Sequence, residues 1–171
     1  MIQQVKLLRV KVDGLGKLVD EDIYEEILCE EAEKAYDSLL LGKAWLGKIL
    51  GHIGENTPYI NDGNRKSVGD IEPAADMSKG LKFGFKEGKV IISSEDVKWS
   101  TEAIHDPDII TQKVDVLREE VKKIVTDIEN LDFESRNREL AIARTQAYVH
   151  LSEARFWLGF LLRVIRDVNQ S

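Results

Sequence analysis

The hydrophobic pattern of the chain predicts long helices, with alternating stretches in two places. From 2 to 12, apolar and polar residues alternate, which indicates a strand that ends at the turn-like sequence DGLG at 13–16. A helix is expected from Asp20, whose carboxylate makes a good N-cap, to about Ile53. Gly54 is placed to end this helix.

The second half of the chain predicts a hairpin and two further helices. Residues 81–99 alternate on both sides of Glu87-Gly88, which indicates a β-hairpin that joins the N-terminal strand in a three-stranded sheet. Asp106-Pro107 is a typical helix start, and an apolar spacing of four and three residues continues from there to Leu131. A last, long helix is expected over about 134–168.

These elements predict a mainly α (α+β) fold, a bundle of long helices with a small sheet. We expect two units, with 1–104 holding the strand, the first helix, a loop at 54–80 and the hairpin, and 105–171 holding a helical hairpin. A chain of 171 residues can bury a core, and its long helices are expected to bury further apolar surface against other subunits. A homo-oligomer is therefore expected.

Two of the predicted helices carry nearly the same sequence, KAYDSLLLGKAWLGKILGHI at 34–53 and QAYVHLSEARFWLGFLLRVI at 146–165. Residues of the same kind recur 112 positions apart: Ala35 and Ala147, Tyr36 and Tyr148, Gly42 and Ala154, Lys43 and Arg155, Trp45 and Trp157. The small residues fall on the seam, the stripe of apolar positions along each helix, where they allow another backbone to approach closely. Amphipathicity alone does not demand tyrosine and tryptophan at the same phase, so internal duplication is favoured over chance.

Charge and composition narrow the function classes. Acidic side chains outnumber basic ones by 31 to 24, and a net charge of −7 opposes binding to long DNA or RNA. A small anionic ligand needs only a local cluster of donors. The single cysteine, Cys29, excludes an internal disulfide and is expected to be a buried structural thiol. No apolar run approaches the length of a membrane span, so a soluble, reduced, cytoplasmic protein is expected.

Catalytic patterns are missing from the sequence. The three histidines, His52, His105 and His150, lack ligand partners at helical spacing, and helix capping explains the aspartates beside His105. We find no glycine-rich phosphate loop and no Ser-His-Asp or Cys-His arrangement. The sequence therefore predicts no enzyme activity, no cofactor and no metal.

Phosphate-binding chemistry is concentrated on the last helix, where basic, hydroxyl and aromatic side chains lie close together: Arg136, Arg138, Arg144, Thr145, Tyr148 and Arg155. Arg144 holds a seam position between apolar neighbours, where a guanidinium must reach water or meet an anion. Its counterpart in the first copy is Ala32. For Arg138 and Arg155, ion pairs with neighbouring glutamates explain the sequence equally well.

The segment RNRELAIARTQAYVHLSEARFWLGFLLRVI resembles the long helix of small phage proteins that inhibit CBASS defence by sequestering cyclic oligonucleotides. The preceding DPDIITQKVDVLREEVKKIVTDIENL resembles the shorter helix of that family. AWLGKILGHIGENTPY and IEPAAD also resemble its segments. The hairpin, the N-terminal strand and the duplication depart from the family pattern.

The resemblance implies a helical homo-oligomer that binds cyclic dinucleotides or trinucleotides between protomers without cleaving them. Arg144 and Thr145 match the family's basic and hydroxyl pair, Lys122 matches a lysine on the shorter helix, and His105 is nearest to its base-stacking tyrosine. Further phosphate and base contacts are expected from Arg136, Arg138 and Tyr148. The cyclic ADP-ribose signals of Thoeris defence are an alternative ligand.

A rival hypothesis is a non-catalytic structural or protein-interaction module that oligomerises through the repeated helices. In that case Arg144 is expected to face acidic side chains across the seam, and nucleotides should not stabilise the protein. The two hypotheses therefore differ first at Arg144.

Overall fold

The computed structural model describes residues 1–54, 80–101, 106, 108–133 and 137–171. Its elements are, in chain order, α1 (Ile2–Leu18), a π-helical segment (Val19–Tyr24), α2 (Glu30–His52), β1 (Lys82–Lys86), β2 (Lys89–Ser93), α3 (Ile109–Glu129) and α4 (Arg138–Gln170). The predicted mainly helical fold with a small hairpin is confirmed. The predicted loop at 54–80 lies almost wholly outside the described residues.

The N-terminal segment is a helix, so the predicted strand and three-stranded sheet are wrong. Its buried apolar residues follow a helical spacing: Val5, Leu8, Val12, Leu15 and Leu18. Leu7 and Val10, on which the alternating pattern depended, are only half buried. Gly14 lies inside α1 and not in a turn. Its missing side chain leaves room for Leu81, since a Cβ at Gly14 would lie 2.8 Å from Leu81 Cδ1.

The predicted helix start at Asp20 is also wrong, because Asp20 belongs to the π-helical segment that continues α1. Helix α2 begins at Glu30, after Cys29 in an extended conformation. The predicted C-terminal glycine is confirmed. Gly54 has a φ of 82°, and its N–H donates a 3.1 Å hydrogen bond to a carbonyl in the last turn of α2.

Both helices of the second half begin later than the sequence predicts. Helix α3 starts at Ile109, although Asp106 still contributes, since its carboxylate accepts a 2.8 Å hydrogen bond from the Asp108 N–H. Helix α4 starts at Arg138. The side-chain oxygen of Asn137 caps it by accepting hydrogen bonds from the next turn at 2.9 and 3.4 Å.

The predicted hairpin is confirmed as a two-stranded antiparallel sheet, in which Phe85 pairs with Val90. Its turn lies at Glu87 and Gly88, with φ values of 54° and 77°. Two consecutive residues of positive φ suit a two-residue hairpin turn. Phe83 and Val90 are buried, so the hairpin extends the helical core.

Helices α2 and α4, the two copies of the repeat, pack antiparallel at the centre of the bundle. His52 near the end of α2 pairs with Glu139 at the start of α4, with 3.2 Å between Nδ1 and Oε2. At the other end, Lys34 Nζ lies 4.4 Å from the ring centroid of Trp157. The repeated helices therefore pack against each other within one chain.

Small residues mark the close approach of α2 and α4, as the sequence predicts. Ala35, Ala147 and Ala154 are fully buried. A Cβ at Gly42 would lie 2.5 Å from Leu151 Cδ2, which is far inside van der Waals contact. Leu28, which precedes α2, is 77% exposed, and Val168 in the last turn of α4 is 67% exposed, so neither belongs to the buried seam that the sequence predicts.

The matching pattern of buried residues covers two complete helical hairpins, α1–α2 and α3–α4. Buried residues of the first helix recur in α3 at a constant offset of 109: Val5 and Val114, Leu8 and Leu117, Val12 and Val121, Leu15 and Ile124, Val19 and Ile128. Contacts recur as well, because the Arg9 guanidinium lies 3.4 Å from the Cβ position of Gly47, and Arg118 lies 3.3 Å from that of Gly159. The first copy therefore has a helical partner where the sequence predicts only a strand and a turn.

None of the helices in the described ranges is long and apolar enough to cross a membrane.

Candidate functional site

A groove of about 350 Å³ lies between the C-terminal end of α3 and the first turns of α4. It is lined by Ile128, Glu129, Arg144, Thr145 and Tyr148. The last three are predicted binding residues, and the structure brings them together on one surface. The volume falls within the range of about 300–1,000 Å³ that is usual for small-molecule sites.

Arg144 is half buried at the wall of this groove, and its Nη1 donates a 2.9 Å hydrogen bond to the carbonyl oxygen of Leu131. Its guanidinium carbon lies 5.9 Å from the ring centroid of Phe133. Leu131 follows the end of α3, where carbonyl groups lack helical partners and the helix dipole favours a cation. The sequence offered water or an anion as partners for Arg144, and the structure adds a main-chain carbonyl. Ala143, which is fully buried, takes the core-facing place beside it.

The other groove residues differ in what they offer a ligand. Thr145 Oγ1 donates a 2.9 Å hydrogen bond to the Ala141 carbonyl, which leaves the oxygen able to accept. Tyr148 is half buried against the core and presents part of its ring to the groove. Glu129 adds a negative charge at the edge, which opposes an anion there. Arg144 is therefore the basic group of this groove.

Of the remaining predicted site residues, Arg138 and Lys122 are described by the structure and do not line the groove. Arg138 borders a shallower neighbouring surface of about 250 Å³ that also includes Thr145. Lys122 lies further back on α3, where its Nζ is 3.8 Å from Glu119 Oε2 and both side chains are about half exposed. Two predicted residues lie outside the described part of the chain: Arg136 and His105.

A second groove, of about 590 Å³, lies where the end of α2 meets the start of α4. Its polar groups already have partners. Lys48 Nζ lies 3.9 Å from the ring centroid of Trp45, and His52 faces Glu139. None of the predicted binding residues that the structure describes lines this groove, so the surface beside Arg144 is the stronger candidate.

Arg118 on α3 is a further basic residue, which the sequence did not indicate as part of a site. Its guanidinium lies against Gly159 of α4, and its Nε is buried without a hydrogen-bond partner. The signal that identifies it is the repeat itself, because Arg9 holds the matching place against Gly47. Because the sequence predicts a strand at the N-terminus, the match between Arg9 and Arg118 is not visible in the sequence alone.

Burial raises the pKa of two titratable groups in the first hairpin. Burial raises the pKa of the Cys29 thiol, which lowers its thiolate fraction and fits the predicted structural role. Burial also raises the pKa of Asp22, and the positive charge of Lys113 opposes that shift in part. Neither group lines the groove beside Arg144, so both bear on stability rather than on the candidate site.

No family model, curated protein or solved structure matches this chain. The side chains of the groove and of the helical surfaces are therefore the basis for assigning a function.

Proposed function

We propose that the protein is a non-enzymatic sponge that binds cyclic oligonucleotide second messengers in the groove beside Arg144 and holds them uncleaved. One observation carries this proposal: Arg144, Thr145 and Tyr148 line a single groove. These are residues that the resemblance to anti-CBASS sponges and the chemistry of the last helix select. The expected setting is the cytoplasm of a host cell, with the chain encoded by a phage.

The groove offers the groups that such a ligand needs. An arginine has five N–H donors, so Arg144 can keep its bond to Leu131 and still direct others toward a phosphate. The Tyr148 ring forms a wall on which a base can stack, a contact typically worth about 1–3 kcal/mol. Thr145 supplies an acceptor. Capture without cleavage requires these donors, the acceptor and the stacking wall, and no activated nucleophile.

An exposed apolar stripe on α4 supports the expected homo-oligomer. Its members are 38–56% exposed: Ile142, Val149, Phe156 and Phe160. The matching positions of α2 are charged or small: Glu30, Asp37, Ala44 and Lys48. Since the two helices otherwise share their pattern, the stripe marks a surface that only the second copy presents. Exposed apolar stripes of this kind are typical of protein interfaces.

The stripe is also self-complementary in charge. At 100° per residue, Arg138 and Asp167 lie on the same face of α4 as Val149 and Phe156. If two copies of α4 pack antiparallel with Val149 opposite Phe156, Arg138 of each copy meets Asp167 of the other. We propose a twofold contact of this kind, which gives Arg138 a role in assembly.

A structural or protein-interaction module is the second candidate, and a specific contact favours it. The hydrogen bond from Arg144 to Leu131 ties α4 to the end of α3 without any ligand. In that role, Glu129 offsets part of the arginine charge, and the groove is only the space left between two helices. A nucleotide would then leave the melting temperature unchanged.

A capture experiment separates the two candidates. The purified protein is incubated with a panel of cyclic dinucleotides, cyclic trinucleotides and cyclic ADP-ribose isomers, and the free ligand is then quantified. The sponge predicts that one ligand is depleted and is recovered intact after heat denaturation of the protein. Recovery of a degraded ligand would make the protein an enzyme, and depletion of none would favour the structural module.

A variant pair assigns the site. We expect Arg144→Ala to weaken capture about 10- to 100-fold, the range for loss of a charge-assisted hydrogen bond. Arg166→Ala removes an exposed arginine near the other end of α4 and serves as the matched control. Equal losses in both variants would point to general electrostatic attraction and exclude a site at Arg144.

A further inference from the structure

The two hairpins carry different charges at one matching place between their helices. In the first hairpin, Arg9 lies on Gly47, and one turn further along α1 Asp13 forms an ion pair with Lys43. This pair joins an acid on the shorter helix to a base on the longer one. The charges of Asp13 and Lys43 therefore neutralise each other.

In the second hairpin the matching positions carry only cations. Arg118 lies on Gly159, as Arg9 lies on Gly47. One turn further along α3, and one turn back along α4, the matching residues are Lys122 and Arg155. At these two positions the first hairpin has an acid and a base, whereas the second hairpin has two bases. Arg118 is a third base, one turn from Lys122 on α3.

The cations of the second hairpin lack the neutralisation found in the first. Within the described ranges, neither Arg118 nor Arg155 makes an ion pair, whereas Lys43, the counterpart of Arg155, pairs with Asp13. Lys122 has a carboxylate within reach, Glu119 at 3.8 Å, but that pair lies within α3 and is half exposed to solvent. Neighbouring like charges without a counter-charge disfavour one another, so a bound anion would stabilise this arrangement.

We propose that Arg118, Lys122 and Arg155 form a binding site for a phosphate group between α3 and α4. Two guanidinium groups offer the planar donors that match phosphate oxygens in pairs, and a lysine adds a mobile charge. The site is distinct from the groove, because Arg155 lies two turns, about 10 Å, beyond Tyr148 along α4. The proposal goes beyond the function proposed above and does not depend on it.

Inorganic phosphate is the first probe, added to the full chain at low ionic strength and compared with chloride at equal ionic strength. We expect phosphate to raise the melting temperature and to shift the Nε–H resonances of Arg118 and Arg155 in ¹H–¹⁵N spectra. Equal effects of phosphate and chloride would overturn the proposal.

Exchanging the charge pattern of the two hairpins gives the sharpest variants. Lys122→Asp recreates the acid–base pair of the first hairpin, so it should raise the melting temperature without phosphate and remove the response to phosphate. Arg155→Gln should weaken phosphate binding at least tenfold. Lys43→Gln in the first hairpin is the matched control and should leave the response intact. A phosphate response that persists in both second-hairpin variants contradicts the site.

Two further arms identify the source of the phosphate and separate this site from the groove. If cyclic di-AMP binds at least tenfold more tightly than inorganic phosphate, and Arg155→Gln loses this binding, the ligand of the site is a nucleotide phosphodiester. Equal binding of the two assigns free phosphate, and both results support the site. Arg144→Ala should keep the phosphate response even if cyclic nucleotide capture is lost or was never present. Loss of that response in Arg144→Ala contradicts a separate site.

Discussion

Gly42 shows at the scale of one residue what holds the two repeated helices together. A methyl group at this position would overlap the Leu151 side chain at 2.5 Å, so glycine is required by the neighbouring helix and not by backbone conformation. Its counterpart in the second copy, Ala154, is also fully buried. The small residues that first draw attention in the sequence therefore have a packing role.

Gly42→Ala should destabilise the protein by about 1–3 kcal/mol, because Leu151 must move in a packed interior. Gly51→Ala is the matched control in the same helix, where no atom lies within 4 Å of the Cβ position. It should be neutral or stabilise by up to about 1 kcal/mol, since alanine is the better helix former. Chemical denaturation of both variants measures the difference, and equal stabilities would contradict the packing assigned to Gly42.

Asp22 should make the stability depend on pH. Burial raises its pKa above the ordinary 3.8, so the folded state disfavours the charged carboxylate. The resulting penalty is absent below that ordinary value, grows as the pH rises through the folded-state pKa and is complete at neutral pH. Asp22→Asn should therefore stabilise the protein at pH 7, by less than about 1 kcal/mol because the group is partly exposed, and should have no effect in acid. Thermal melts across this pH range, with the exposed Asp20→Asn as control, test the sign.

At the scale of secondary structure, the sequence predicts the hairpin and the three long helices, and fails at α1. Val5 and Leu7 alternate as in a strand, while Val5 and Leu8 fit a helix, so a short apolar segment satisfies both periods. Gly14 suggests a turn, yet it lies in a helix. The glycine is explained by Leu81, far along the chain, whose side chain occupies the place that a Cβ at Gly14 would take. Contacts with distant residues decide such segments, and these are not visible in local sequence.

The π-helical segment marks a difference of one residue between the first helices of the two hairpins. Val19 matches Ile128 at the 109-residue offset of the repeat, whereas the next buried residue, Ile23, comes four positions later and the corresponding Leu131 only three. A π turn accommodates one extra residue in a helix. We infer that the first helix of the first hairpin has one residue more than α3 and that this residue lies between Val19 and Tyr24.

Deletion of Glu21, an exposed residue of this segment, should convert the π turn to a regular helical turn and preserve cooperative unfolding. Deletion of Glu119 is the matched control, because removing one residue from the regular helix α3 rotates its remaining apolar face by about 100°. We expect that variant to lose cooperative unfolding in circular dichroism melts. Equal damage from both deletions would contradict the inserted residue.

At the scale of the whole molecule, the apolar stripe of α4 is the surface through which chains should associate. Phe156→Glu places a charge at its most exposed aromatic position and should shift the protein toward the monomer in sedimentation experiments. Ala44→Glu makes the matching change on α2, where the positions equivalent to the stripe are charged or small, and should leave the mass unchanged. A monomeric wild type, or the same mass for Phe156→Glu and wild type, would contradict the proposed interface.

The candidate site was only partly predictable from the sequence, for a physical reason. Helical spacing placed Arg144, Thr145 and Tyr148 on neighbouring turns of one helix, and the groove includes all three. The partner of Arg144 could not be predicted, because the Leu131 carbonyl becomes available only where α3 ends and the chain turns. Arg118, and its association with Lys122 and Arg155, emerges only when α1 is recognised as a helix and the two hairpins are compared.

The most direct test of the proposed sponge is a calorimetric titration of the captured cyclic nucleotide into wild-type protein and Arg144→Ala, with Arg166→Ala alongside. We predict tight binding by the wild type and by Arg166→Ala, intact ligand after release, and affinity reduced about 10- to 100-fold in Arg144→Ala. Identical affinities for wild type and Arg144→Ala, or no heat of binding from any ligand in the panel, would contradict the proposed function.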